Sequence, residues 1–530
     1  MLPAVATTFA EGGSLMEGRP TYNAAADLIE RNLTAGRGAK TAFIDDRGHY
    51  SYAGLAEQVS RFANGVRRLG VHPEQRILLC LHDTIDFPTA FLGAIKAGIV
   101  PVAVNTQLSP EEFAFMLSDS RARAVVVSAP VLPAMTAALA QLPEPRPTVI
   151  VAGAELRAGS LAALLADSPA TFDTTPTHRD EPCFWLYSSG STGRPKGTVH
   201  IHSSLVQTAE LYAVPVLGIA ESDITFSAAK LFFAYGLGNG LTFPMAVGAT
   251  SVLMAERPTP AAVNRVLREH RPTIFFGVPT LYNAMLVSPD LPRPDELALR
   301  RCVSAGEPLP QEIGRRWSAR LGVDILDGIG STEMLHIFLS NRPDEVRYGT
   351  TGKPIPGYPL KIVDEEGRLV RRGEVGDLLV GGQTSAALYW NSRERSRSTF
   401  NGIWTRTGDK YFEDEDGYYV YCGRSDDMLK VSGMYVSPAE VEAALIAHED
   451  VFEAAVVGAP DADGLIKPKA FVVVKPGIRA DGDLALALEH HAKATLAPFK
   501  CPHWITFLDD LPKTATGKIQ RFKLREVRPG

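Results

Sequence analysis

Between positions 187 and 197 the chain reads Tyr187-Ser188-Ser189-Gly190-Ser191-Thr192-Gly193-Arg194-Pro195-Lys196-Gly197. Glycines let backbone N–H groups approach an anion closely, and hydroxyls and an ammonium add donors. Ser188, Ser189, Gly190, Ser191, Thr192, Gly193 and Lys196 therefore point to phosphate binding. A polar surface turn uses the same residue types. The apolar run before the stretch, and the reading of 200–206 as the start of a helix, favour a phosphate loop. The spacing is not that of the common nucleotide-binding P-loop, because Pro195 precedes Lys196 and Gly197 follows it. An Asp-Phe-Gly kinase signature is missing as well.

Five further islands follow in order: Ser304-Ala305-Gly306-Glu307-Pro308-Leu309, Asp327-Gly328-Ile329-Gly330-Ser331-Thr332-Glu333, Trp404-Thr405-Arg406-Thr407-Gly408-Asp409, Gly423-Arg424-Ser425-Asp426 and Pro512-Lys513-Thr514-Ala515-Thr516-Gly517-Lys518. Singly each is a weak signal; their order and spacing together are not. With the loop at 187–197 they resemble the adenylate-forming superfamily of acyl-CoA synthetases, luciferases and adenylation domains, over nearly the whole chain. The segments Phe232-Phe233-Ala234-Tyr235-Gly236-Leu237-Gly238 and Met334-Leu335-His336-Ile337-Phe338-Leu339-Ser340-Asn341 resemble its benzoate–CoA ligase branch.

The resemblance implies a two-step reaction. A carboxylate attacks the α-phosphorus of ATP to give an acyl adenylate and pyrophosphate, and the thiol of coenzyme A then displaces AMP. Positive charge is needed in the first step, because nucleophile and target are both anionic. The implied roles are these. The loop residues with Lys196 hold the β- and γ-phosphates. Gly306, Glu307, Pro308, Asp327 and Gly328 line the adenine site. Thr332 touches the α-phosphate, and Glu333 holds Mg²⁺, a hard ion that favours carboxylate oxygen. Asp409 and Arg424 contact the ribose, and Lys518 is the catalytic lysine of the first step. Asp426 takes the hinge position, about which Lys430, Ser432 and Gly433 replace Lys518 for the thioester step. One departure stands out: the family's adenine-stacking ring is replaced by Ile329, which packs but does not stack.

Phe232, Ala234, Tyr235, Gly236, Phe276, Gly277, Gly330, His336 and Ile337 are the acyl-pocket candidates, since an aromatic, glycine-lined slot suits a flat ring. For any single phenylalanine, core packing is the competing reading. His336 and the Tyr235 hydroxyl offer polar groups to a ring substituent.

The elements that must position these residues are legible in outline. Leu55, Val59, Phe62, Val66 and Leu69 recur at helical spacing, with Gly70 as a stop. Strands are expected at 77–81, 100–104 and 124–127, and Ser109-Pro110-Glu111-Glu112 reads as a capped helix start. Such alternation predicts an α/β fold with mainly parallel sheets. After 426 the pattern changes to α+β: a Ser437-Pro438 helix start, strands at 451–457 and 470–474, a helix over 481–496 and a strand near 504–507. We expect a large multi-subdomain N-terminal domain, 1–425, for ATP and the acid, and a small mobile C-terminal domain, 426–530.

Composition bounds the rest. The chain has 530 residues, 45% hydrophobic and 22% charged, as globular proteins do. Its net charge of −6 argues against a nucleic-acid binder. Five scattered cysteines exclude a disulfide scaffold or zinc ribbon. No secretory signal or membrane-length apolar run is seen, so a cytoplasmic location is expected. Residues 513–530 hold six basic residues and one acidic one, fitting a solvated tail or a patch for an anionic ligand. The expected ligands are thus ATP, Mg²⁺, coenzyme A and an aromatic acid, with no nucleic acid or membrane and with a homodimer compatible. The competing readings are a fatty-acid–CoA ligase or carrier-protein adenylating enzyme of the same superfamily, and, in a different class, a non-catalytic nucleotide sensor. Retention of Lys196, Glu333, Asp409 and Lys518 argues against the sensor.

Overall fold

The computed structural model describes residues 21–153, 156–188, 195–425, 427–431, 434–461, 465–513 and 519–525. Two large sheets dominate. A nine-stranded sheet runs Lys353–Pro354, Ile337–Ser340, Ile325–Gly330, Arg301–Ser304, Ile274–Gly277, Ile224–Ser227, Thr250–Val252, Thr41–Asp45, Gly48–Ser51. Its six middle strands are parallel and its edges antiparallel. A seven-stranded sheet runs Leu388–Tyr389, Lys196–Ile201, Pro182–Ser188, Val100–Ala103, Arg76–Cys80, Ala124–Ser128, Thr148–Ala152, parallel from Pro182–Ser188 onward. Helices Ala24–Thr34, Tyr52–Arg68 and Asp86–Lys96 share one core with side chains of both sheets, including Phe43, Ile77 and Leu79. Burying both faces of parallel strands between helices explains their continuous apolar runs.

The mainly parallel expectation meets one exception. A third sheet, built from Leu360–Val363, Gly376–Gly381, Trp404–Glu413, Phe400–Asn401 and Tyr419–Arg424, is antiparallel throughout. It carries Asp409 opposite Arg424 in register. The C-terminal region is α+β as expected. Strands Val451–Pro460 and Ile466–Val474 pair antiparallel, Trp504–Phe507 adds in parallel, and helices Pro438–Ile446 and Gly482–Thr495 complete it.

Local rules operate where they were read. Leu55, Val59, Phe62 and Val66 are buried, whereas Leu69 caps the helix and is 41% exposed: the apolar row outlasts the helix by one position. Gly70 then takes the left-handed backbone of a helix stop, at φ +79°. The capping box between Ser109 and Glu112 forms in both directions. The helix expected from His200 starts later. Strand Lys196–Ile201 pairs with Pro182–Ser188, placing His200 opposite Phe184, and the helix runs His202–Thr208.

Candidate active site

Ser188 ends one strand of an antiparallel hairpin, and Lys196, in register with it, begins the other. The intervening Ser189, Gly190, Ser191, Thr192 and Gly193 lie outside the described residues. Thr332 and Glu333 sit in a turn leading from strand Ile325–Gly330 toward strand Ile337–Ser340. The Ser331 hydroxyl accepts the Met334 N–H at 3.1 Å, and Leu335 closes the turn at φ +67°, a conformation that costs a non-glycine residue about 1 kcal/mol or more and concentrates at functional sites. This turn delivers Glu333 to the hairpin. Its Oε1 accepts the Tyr389 hydroxyl at 2.6 Å and the Ser188 hydroxyl at 3.4 Å, and stands 4.0 Å from the Lys196 ammonium. Lys196 donates to the Tyr389 oxygen at 3.4 Å and lies 4.4 Å from that ring's centroid. Burial lowers the Lys196 pKa while Glu333 opposes the shift. The result is a half-buried cation beside a carboxylate, with hydroxyls around both.

His200 supports this turn from behind. Its Nε2 lies 2.8 Å from the Thr332 carbonyl oxygen, and its ring stacks on Phe184 at 5.1 Å. Burial lowers its pKa to about 4, so it is neutral and donates through Nε2.

The proposed nucleoside wall occupies the C-terminal ends of neighbouring parallel strands, the usual ligand side of such sheets. Asp327 is level with Ser304, two residues before Gly306. Gly306 adopts φ +92°, and Glu307 accepts the Thr280 hydroxyl at 2.8 Å. Asp327 is buried, its Oδ1 has no hydrogen-bond partner among the described residues, and burial raises its pKa well above the carboxylate range. A buried, unsatisfied acceptor calls for a donor, which an amine or hydroxyl supplies. Gly306 and Pro308 are exposed and Ile329 half-buried, so this end of the sheet is open. On the antiparallel sheet, Arg424 Nη1 lies 3.3 Å from Asp409 Oδ1.

The acyl side is drier. The His336 ring is ringed by Phe243, Tyr235 and Tyr212, with centroids 4.4, 5.6 and 5.7 Å away. Its Nε2 faces two acceptors, Asn239 Oδ1 at 3.1 Å and the Tyr235 carbonyl at 3.3 Å, so it carries the proton. The buried Nδ1 is then a bare lone pair without a partner among the described residues. Burial lowers this imidazole to about 3 and keeps it neutral. The Tyr235 hydroxyl, expected to face a ring substituent, instead lies 3.3 and 3.2 Å from the carbonyls of Gly277 and Val303. Phe276 is fully buried and meets Tyr235 edge-on at 6.2 Å. Phe276 and Ile337 belong to one core, whereas Phe232 and Ala234 join the core between the two large sheets. Gly236 and Gly330 are set by backbone crowding and Gly277 by a neighbouring ring. A Cβ at Gly236 would fall 2.1 Å from the Lys230 carbonyl oxygen, at Gly330 2.5 Å from that of His336, and at Gly277 2.8 Å from the Tyr282 ring.

Lys518, Asp426, Ser432 and Gly433 lie outside the described residues, as does the Lys430 side chain; the Lys430 backbone lies in the hairpin Leu429–Val431/Met434–Val436. On either side of 514–518, Lys513 bridges Ile519, and ion pairs join Lys513 to Glu453 at 2.7 Å and Arg521 to Glu442 at 2.8 Å. Asn283 donates to the Phe452 carbonyl at 2.7 Å, joining the two regions directly.

Sequence reasoning missed Tyr389, His200, Asn239 and Asp83. Asp83 accepts the Leu231 N–H at 3.2 Å and so anchors the acyl segment. Asn239 follows Gly238 directly, so the segment ends one residue too early. Tyr389-Trp390 reads as ordinary aromatic packing, and only pairing with Lys196–Ile201 brings it to the site.

The fold and this clustered lysine–carboxylate site define the class: residues 30–390 match the AMP-binding enzyme model and 440–518 the AMP-binding enzyme C-terminal domain model, and the chain belongs to the AMP-binding enzyme family. It is 62% identical over 508 residues to the benzoate–CoA ligase of Thauera aromatica, covering 96% of each chain. It is 51% identical to the 4-hydroxybenzoate–CoA/benzoate–CoA ligase of Rhodopseudomonas palustris, covering 96% of this chain and 95% of that one. Among solved structures it resembles a benzoate CoA ligase from Burkholderia xenovorans, with TM-score 0.90 and 55% identity over 95% of this chain and all of that one. An anthranilate CoA ligase in complex with anthranoyl-AMP follows at TM-score 0.91 and 44% identity, covering 95% and 97%. No helix among the described residues is long and apolar enough to cross a membrane.

Proposed function

We propose that this chain is an AMP-forming aryl-CoA ligase whose acid is benzoate or a close analogue. Benzoate and ATP give benzoyl-AMP and pyrophosphate; benzoyl-AMP and coenzyme A then give benzoyl-CoA and AMP. The single observation that carries this reading is the turn 330–337. It presents Glu333 to the charged hairpin and, three residues on, His336 to a cluster of aromatic rings. A nucleotide's phosphates and a flat acid are thereby brought to the two sides of one turn.

In this reading Lys196, with the loop 188–193, holds the β- and γ-phosphates. Thr332, fixed through its carbonyl by His200, meets the α-phosphate. Gly306, Glu307, Pro308, Asp327 and Gly328 frame adenine, and the unsatisfied Asp327 acceptor suits a base amine or bound water. Asp409 and Arg424 take the ribose. Glu333 fits Mg²⁺, which needs only one or two protein carboxylates beside substrate phosphates and water, and the ion would neutralise phosphate charge when bound. Lys518 supplies positive charge to the α-phosphate in the first step. Residues 1–425 form one body and 426–530 a second, with Asp426 as hinge; Lys430, Ser432 and Gly433 serve the thioester step. Neutral rings packed around His336 favour a rigid aromatic acid over a long aliphatic chain. His336 Nδ1 offers an acceptor to a hydroxyl or amino substituent.

Enzyme, ATP, Mg²⁺ and coenzyme A are incubated with benzoate, hydroxybenzoates and medium-chain fatty acids, and AMP and acyl-CoA are quantified. Benzoyl-CoA in step with AMP is expected. Turnover of fatty acids with none of the aromatic acids would sink the reading.

A further inference from the structure

Tyr389 is 3% exposed and occupies an unusual place among opposite charges. Its strand, Leu388–Tyr389, adds antiparallel to Lys196–Ile201, with Tyr389 opposite Thr198. The next residue, Trp390, anchors it by packing on Trp185 at 4.7 Å, by donating Nε1–H to the Asp119 carbonyl at 3.0 Å and by bonding its N–H to the Gly197 carbonyl at 2.8 Å. The phenol is therefore fixed between the longer, half-buried Lys196 and Glu333 side chains.

Lys196 and Glu333 stand 4.0 Å apart, too far for a hydrogen-bonded ion pair, whose N⁺–H···O⁻ distance is about 2.8 Å. The phenol fills the difference. It donates to Glu333 at 2.6 Å, accepts from Lys196 at 3.4 Å, and turns its ring face to the ammonium at 4.4 Å. A half-buried lysine and carboxylate without such a spacer attract each other strongly and close to direct contact.

The geometry points to Tyr389 as a positioning residue that keeps Lys196 and Glu333 apart, and so ready, for the phosphates of a nucleoside triphosphate and their divalent cation. This rests on the reading of Lys196 and Glu333 as the phosphate- and metal-binding pair. Without the hydroxyl, the two charges satisfy each other, and nucleotide must break that contact before it binds.

The test is equilibrium binding of a non-reactive α,β-methylene analogue of ATP, with Mg²⁺, to the full chain, its Tyr389→Phe and Glu333→Gln variants and the double variant. Tyr389→Phe keeps the ring and the packing. It is expected to raise Kd about five- to tenfold, the size of one ordinary hydrogen bond. In the Glu333→Gln background there is no charge for Lys196 to collapse upon, and the same change is expected to shift Kd by less than about twofold. A Tyr389→Phe effect of equal size in both backgrounds, or none in the first, overturns the inference. Conversion of supplied benzoyl-AMP to benzoyl-CoA uses no triphosphate and separates this role from general damage: Tyr389→Phe is expected to keep it within about twofold. The binding measurement needs no acid. A chain that binds the analogue as expected yet makes no benzoyl-AMP would refute the proposed function and leave this inference standing.

Discussion

The two sides of the turn 330–337 solve opposite problems. On the phosphate side, Lys196, Glu333, Ser188 and Tyr389 are half-buried or buried polar groups held by one another, with Lys196 and Glu333 close but not in contact. On the acyl side, His336, Phe276 and Phe243 are buried and Tyr235 is half-buried, all of them neutral, and their polar atoms are mostly spent on the protein's own carbonyls or on Asn239. Under the proposed function, the first region keeps charge available to a ligand that brings its own, and the second leaves the selecting to shape and a single lone pair. Electrostatics should therefore dominate losses on one side, and packing on the other.

The largest expected effect tests the charged side. Lys518→Ala is expected to slow adenylate formation about 100- to 1,000-fold, as for removal of a donor aimed at developing charge, while supplied benzoyl-AMP is still converted. Equal loss in both half-reactions, measured by rapid quench, would break the assigned division of labour. Lys196→Met should follow, with kcat/KM for ATP down about 100-fold and that for benzoate, at saturating ATP, much less affected. A loss shared by both substrates would mean the two sides are not separable.

The next tests concern packing. Gly236→Ala sets a Cβ 2.1 Å from a backbone oxygen that has nowhere to move. A destabilisation of about 1–3 kcal/mol is expected in urea unfolding, with benzoate KM rising before ATP KM does. His336→Ala removes a side chain from a closed slot. The kcat/KM ratio of para-substituted benzoates to benzoate should shift about tenfold in favour of the larger acids, and an unchanged ratio would take His336 out of the slot.

The smallest effect, per pH unit, is shared by the two sides. His200 and His336 have folded pKa values of about 4 and 3, below the ordinary 6.5. The folded state thus binds fewer protons than the unfolded one. Their stabilising contribution is complete above about pH 6.5 and is lost as pH falls toward 4 and then 3, by up to about 1.4 kcal/mol per pH unit for each. Urea midpoints between pH 7 and 5 should fall accordingly, and His336→Gln should lessen the slope. A slope unaltered by that change would show that His336 is not held neutral by burial.

Much of this molecule is determined locally. Ser109 caps its helix because its hydroxyl accepts the Glu112 N–H while the Glu112 carboxylate accepts the Ser109 N–H, all within four residues. The strand at 124–128 is a short apolar run that only burial can use. Ser188 and Lys196 stand out by the residue types around them, whereas Glu333, Asp409 and Arg424 are singled out by the resemblance of their islands to the adenylate-forming superfamily. Tertiary structure decided what depends on distant partners. The antiparallel Asp409–Arg424 pairing comes from a third sheet, and His200 is drawn into a strand by pairing with Phe184. The Tyr235 hydroxyl is turned away from the slot by carbonyls 42 and 68 residues further along the chain. Tyr389, 193 residues from Lys196 and 56 from Glu333, carries no local mark at all. A motif records which groups a ligand needs; where each side chain finds its partner is set by packing, because hydrogen bonds and charge act over a few ångströms of space and not over sequence.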